Sequence, residues 1–411
     1  MKKYTLIFLA LGMSHFLFAD PPTPPVGKRW VLNPDFSDEF NGTELDASKW
    51  FNYHPNWKGR KPGLFLPSQV SVKNGYMQIR GEKMEKDTII HAYGKDMTFN
   101  IAGGAVVSKK SVYLGYYECR SKAAATTMST TFWFSGGGGV GPNECDTYKQ
   151  EWDIQECIGR GGDFKGDYFA YGMHSNAHYW YTDCDGEKHD HRAAQVRFED
   201  SELASEDFHV YGGWWRDDVS ASYYYDNRPP KHQQFYNKVS DKPMDKPMYM
   251  RLVSETYPFP WIELPNDEEL ADTTKNTVYY DWVRGYKLVD VDAPNDSDLN
   301  LESEIGLYDE NVSFPSATYE LSSSETLKIP FTFQANEDRE IELKLHDPEG
   351  KVVAKTVASV YAGYGNMVFD FEVGQTLEAK AGYKLVASVL PAGGEKTNKL
   401  DTSTLILDLK N

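Results

Sequence analysis

Short runs in which apolar and polar residues alternate dominate this chain. GYMQIRG (75–81), SVYLGYYECRSKA (111–123), TTFWF (130–134), SASYYYD (220–226) and TVYYDWVRGYKLV (277–289) are rich in aromatic and β-branched residues. A period of two puts one side of each run on a core, so they predict strands. Amphipathic helical patterns of a dozen residues are missing. The glycine run GGGGVG (136–141) lacks the Gly-Lys-Ser/Thr of a phosphate loop and reads as a flexible surface loop. Further on, LKIPFTF, EIELKLH and YKLVASV alternate between the turn sequences DPEG and PAGG, which predicts a small antiparallel β-sandwich.

Aromatic usage divides the chain. All ten tryptophans lie between Trp30 and Trp282. The acidic, polar stretch DVDAPNDSDLNLESEIG that begins at Asp290 reads as a linker. The expected organisation is a large β domain over 26–290, a linker over 291–306 and an accessory sandwich over 307–411. Ahead of these, Lys2 and Lys3 precede an apolar run from Leu6 to Met13, and Ala19 sits at a plausible cleavage point. That layout predicts a signal peptide over 1–19 and a secreted protein, extracellular or periplasmic.

Charge narrows the partners. The 411 residues carry 43 basic and 61 acidic side chains, a net of −18, which repels phosphate backbones and argues against nucleic acid and anionic membranes. Four cysteines, Cys119, Cys145, Cys157 and Cys184, allow three complete pairings, with buried free thiols as the alternative. None has metal-site spacing. His189 and His191 are strand neighbours without an evident third ligand, so neither metal nor cofactor is expected.

The chemistry concentrates in Glu151-Trp152-Asp153-Ile154-Gln155-Glu156. In a strand, Glu151 and Asp153 share a face, while Trp152 and Ile154 enter the core. Glu156 has the wrong parity unless one β-bulge restores it. Three acids crowded on one face raise one pKa and leave another group ionised, as an acid/base pair requires.

This hexapeptide fits the Glu-x-Asp-x-x-Glu signature of glycoside hydrolase family 16. FSDEFNGTELDASKW (36–50), GYYECRSKA (115–123), FHVYGGWWRDD (208–218) and YYDWVRGYKL (279–288) resemble further landmarks of that family, in order. The resemblance implies a concanavalin-like β-jelly-roll sandwich with an open cleft. It makes Glu151 the nucleophile, Glu156 the general acid/base and Asp153 the residue that orients them. A retaining endo-hydrolase of polysaccharide, monomeric, is the expected activity. HPNWKGRKPGLF (54–65) and AAATTMSTTFWF (123–134) resemble β-agarases and porphyranases, which implies β-1,4 linkages of agar-type galactans. Carrageenan or β-1,3-glucan hydrolysis and non-catalytic binding are the alternatives. Trp57 and Trp133 are candidate sugar platforms. Arg60, His174, His178 and Glu255 are candidate substrate contacts, and Arg120, Arg192 and Arg251 candidate sulfate partners.

Overall fold

The computed structural model describes residues 21–92, 95–294, 311–314, 318–322, 326–335, 339–360, 363–373, 377–393 and 399–410. The expected signal peptide and most of the expected linker lie outside these.

Two large antiparallel sheets face each other in the first part of the chain. One runs in the order Lys231–Gln234, Ser220–Tyr225, His209–Asp217, Gly115–Lys122, Thr277–Asp290, Tyr76–Arg80, Val70–Lys73, with Lys28–Asp38 also on Thr277–Asp290. The other runs Lys188–Arg192, Tyr171–Thr182, Thr147–Ile158, Ser129–Val140, Met248–Ser254, Lys95–Val112, Trp50–Phe51. This is the jelly-roll sandwich that the family resemblance implies. Phe134, Trp152, Ile154, Tyr117, Cys119, Trp215 and Tyr223 fill the space between the sheets. The indole Nε1 of Trp152 donates to the Tyr223 hydroxyl at 3.0 Å, and that hydroxyl donates to Gln233 at 2.7 Å, so burial leaves neither group unpaired.

The glycine run is not a flexible loop. It extends the strand Ser129–Val140 and pairs with the strand of acids, Gly138 opposite Lys149 and Gly139 opposite Tyr148. A Cβ on Gly138 would stand 2.5 Å from the Tyr148 carbonyl oxygen, so side-chain-free residues suit this close approach. The cysteines resolve into a mixed state. Cys145 and Cys184 form a disulfide with Cα atoms 5.1 Å apart, while Cys119 and Cys157 are buried free thiols.

A separate pair of sheets follows. Asn311–Ser313, Thr326–Ala335 and Gly363–Glu372 make one, and Thr318–Ser322, Asp401–Lys410, Tyr383–Pro391, Arg339–His346 and Val352–Val360 the other. Their shared core is aliphatic and phenylalanine-rich, without tryptophan. Among the described residues helix is confined to Asp267–Ala271 and two 3-10 turns.

Candidate active site

The strand Thr147–Ile158 carries the three acids, and a bulge at Ile154 sets their directions. Against Ser129–Val140, Asp153 pairs with Trp133 and Gln155 with Phe132, so Ile154 is the extra residue. On the other flank Asp153 pairs with Asn176 and Glu156 with His174. The Ile154 carbonyl, taken off the ladder, accepts from the Ser175 hydroxyl at 2.7 Å. The Gln155 side chain accepts from the His174 amide at 3.2 Å. The parity break is thus held by two polar side chains, and Trp152 and Ile154 stay fully buried beneath it.

Glu151, Asp153 and Glu156 line one cavity of about 220 Å³ together with Trp57, Arg60, Thr131, Trp133, Trp180, Glu255 and Tyr257. A larger hollow of about 1040 Å³ shares Trp57, Trp133 and Trp180 and continues past His54, Tyr181 and Arg251. The result is an open trough wide enough for a chain-like ligand.

Burial drives the electrostatics. It pushes Glu151 up to about 7, aided by Asp153, and Asp153 up to about 6, aided by Glu156. Glu156 is raised by burial, while a hydrogen bond from the Tyr257 hydroxyl at 3.0 Å pulls it back. The Trp180 indole donates to Glu151 at 3.3 Å and favours its ionised form. Beside the acids, opposite Glu151 in the neighbouring strand, His178 reaches Asp153 and Asp190, and these partners outweigh burial and push its pKa up to about 11. It is therefore an imidazolium at neutral pH. Glu151, Asp153 and His178 bring donor atoms within 4.8 Å of one another.

The loop that carries Trp57 and Arg60 is fastened to the end of strand Met248–Ser254. The Arg60 Nε donates to Glu255 at 3.0 Å, and the Thr256 hydroxyl accepts from the Gly63 amide at 3.0 Å. Gly59 has φ +116° and a Cβ there would meet the Gly63 carbonyl at 2.5 Å, so this turn requires glycine. The guanidinium of Arg60 lies 4.9 Å from the Phe259 ring centre and 5.6 Å from Trp57. Burial outweighs Arg60 and pushes Glu255 up to about 7.

The structure separates the candidate residues into three groups. Trp57, Arg60, Trp133 and Glu255 reach the cavity with the three acids. His178 touches Asp153 from the neighbouring strand and is largely covered. His174 does not reach the cavity. It is 3% exposed under Phe169 and Tyr168, and burial lowers its pKa to about 4. The expected sulfate partners each hold a partner within the protein, although Arg251 lines the larger hollow and Arg192 lies opposite His178. Arg251 is buried over Trp133 and donates to His54, Arg120 pairs with Asp281, and Arg192 pairs with Asp190. Three cavity residues went unread in the sequence, Thr131, Trp180 and Tyr257. Thr131 and Trp180 each lie two positions along a strand from a candidate, Trp133 and His178, so the parity applied to the acids would have found both, whereas Tyr257 lies past the end of its strand, where parity gives no direction.

Comparison with known proteins agrees with this geometry. Residues 30–288 match the family model described as Beta-porphyranase A-D, GH16 domain, and residues 312–402 match the Porphyranase-associated domain. The chain is 64% identical over 390 residues to beta-porphyranase D of Zobellia galactanivorans, covering 95% of this chain and 91% of the relative. It is 38% identical over 286 residues to beta-porphyranase B of Phocaeicola plebeius, covering 66% of this chain and 88% of the relative. The crystal structure of a beta-porphyranase from the human gut bacterium Bacteroides plebeius superimposes with a TM-score of 0.61 at 37% identity. That match covers 66% of this chain and 96% of the other.

Proposed function

The chain belongs to the porphyranase A–D group of glycoside hydrolase family 16, and from this premise we propose that it cleaves porphyran, a sulfated agar-type galactan, at β-1,4 linkages within the chain. The observation that carries the substrate reading is Arg60. Its guanidinium, with a side chain 39% exposed, stands in the wall of the cavity that holds the three acids. A sulfate ester needs a charge-assisted donor at this place, and a fork of N–H groups backed by aromatic rings supplies one.

In this reading Glu151 attacks the anomeric carbon and Glu156 protonates the leaving oxygen, then deprotonates the water that releases the sugar with retained configuration. The indole N–H of Trp180 and the charge of His178 both favour an ionised Glu151. Glu156 must hold the proton, and burial favours that state. Asp153 carries the influence of His178 between the two. The rings of Trp57 and Trp133, 6.4 Å apart and nearly perpendicular, would cover apolar sugar faces. Secretion by way of residues 1–19 and action as a monomer belong to the same reading.

Neutral agarose is the second reading, because Glu255 already compensates Arg60. Reducing-end release from porphyran, agarose, carrageenans and laminarin separates them, with porphyran expected to be cleaved fastest. Proton NMR should detect the β-anomer first; an initial α-anomer would refute retention. Glu151→Gln should lower kcat at least a thousandfold, and full activity of that variant would refute the nucleophile assignment.

A further inference from the structure

Beyond the cavity, a row of rings leads away from Glu156. The Tyr257 hydroxyl donates to Glu156, and its ring lies 5.1 Å from Phe259. Phe259 stacks on Trp261 at 5.3 Å with planes 2° apart, and Trp261 faces Tyr168 at 6.3 Å with planes 11° apart. Arg60 lies over Tyr257 and Phe259 at 5.8 and 4.9 Å near one end of the row, and Arg197 lies over Tyr168 at 4.2 Å at the other.

Strand register places Arg197 on the same face as the acids. Glu156 pairs with His174, and His174 with Arg197 in the neighbouring strand Val196–Leu203. Directly opposed residues of antiparallel strands project to one side. Two strand spacings separate Glu156 from Arg197, about 10 Å of backbone, so a neighbouring sugar and not the ring under attack would meet it. Unlike Arg60, Arg197 has no carboxylate partner among the described residues. Its Nε donates to the Gln195 amide oxygen at 2.7 Å, and its remaining N–H groups lie on an exposed side chain. A hollow of about 710 Å³ beside it is lined by Lys231 and His232 as well as Glu199, a basic excess on a chain whose total is strongly acidic.

We propose that Arg197, seated on Tyr168, is a second anion subsite that binds the sulfate ester of a sugar remote from the scissile bond. The proposal rests on the sulfated-galactan reading above. It requires a planar cation with N–H groups left over, and Arg197, held by a ring face and one amide oxygen and by no carboxylate among the described residues, is one.

The test compares full-length protein and its Arg197→Gln and Arg197→Lys variants on sulfated porphyran oligosaccharides and on the same oligosaccharides after chemical desulfation. Loss of one charge-assisted contact should raise KM about tenfold for Arg197→Gln on the sulfated chains, with kcat within twofold. Desulfated chains should show the same KM for all three proteins, and Arg197→Lys should recover part of the loss. An unchanged KM on sulfated chains, or an equal rise on both substrates, would overturn the subsite. If the unmutated protein cleaves agarose and leaves porphyran intact, the reading of function fails, and the subsite with it.

Discussion

His178 is clamped between two carboxylates, its Nε2 3.4 Å from Asp153 Oδ2 and its Nδ1 2.6 Å from Asp190 Oδ1. One cation thus sits beside three crowded acids and offsets their mutual repulsion. Glu151, near 7, and Asp153, near 6, must lose their protons before a carboxylate can attack. Activity should therefore fall as pH drops through 7 towards 6, and kcat/KM reports this limb for the free protein. Removing the positive charge takes away an influence that lowers both acids. His178→Gln should move the acid limb upward by about one pH unit, roughly 1.4 kcal/mol of lost charge stabilisation. A limb that stayed in place would show that His178 does not tune the acids.

Gly213, on the facing sheet, lies under the strand of acids. A Cβ there would stand 2.6 Å from Trp152 Cζ2 and 2.8 Å from Ile154 Cγ1. Both residues anchor the bulged segment from below, so they cannot yield without tilting it. Gly213→Ala should cost about 1–3 kcal/mol in urea unfolding. It should also lower kcat more than a surface mutation of equal instability, since Glu151 and Asp153 flank Trp152. Unchanged stability would mean that the core has slack at this point.

Arg251 braces Trp133 in the cleft wall from the neighbouring strand. It donates to the Tyr249 carbonyl at 2.8 Å, to the Ser135 carbonyl and to His54 Nε2 at 3.0 Å, with its guanidinium 4.9 Å from the Trp133 ring centre. Arg251→Met keeps the apolar stem and leaves buried acceptors without donors. A loss of about 3 kcal/mol in unfolding experiments is expected. KM should rise more than kcat falls, because Trp133 loses its backing. The reverse split would argue that Arg251 influences the acids more than the platform.

The disulfide closes a separation of 39 residues that includes the whole strand of acids. Chain-entropy arguments for such a loop give about 4 kcal/mol of stabilisation. The Cys145→Ser, Cys184→Ser double variant should unfold at correspondingly lower urea concentration. Native protein should resist thiol reagents at its other cysteines, since Cys119 and Cys157 are fully buried and burial pushes the Cys157 thiol up to about 12. Rapid labelling of native protein would contradict that burial.

Strand parity in the sequence was enough to send Trp152 to the core and to require a bulge before Glu156 could join Glu151. The bulge lies at Ile154, and its cause, Ser175 and Gln155 holding the displaced backbone, belongs to partners that local spacing cannot reveal. The glycine run shows the opposite case. Glycine usually marks turns, yet here a neighbouring strand that approaches to contact distance makes the same residues part of a ladder.

The local code of this chain determined what each strand offers: alternating faces, one acidic triad, an aromatic-rich first part and a tryptophan-free second. Tertiary structure decided which offers meet. It paired Arg60 with Glu255, 195 residues away, buried Arg251 against Trp133, folded His174 under Phe169 and set Arg197 in line with Glu156 through an intervening strand. The reason is physical. Side-chain direction follows from backbone period two, whereas charge pairing and desolvation depend on neighbours brought together by register and sheet order.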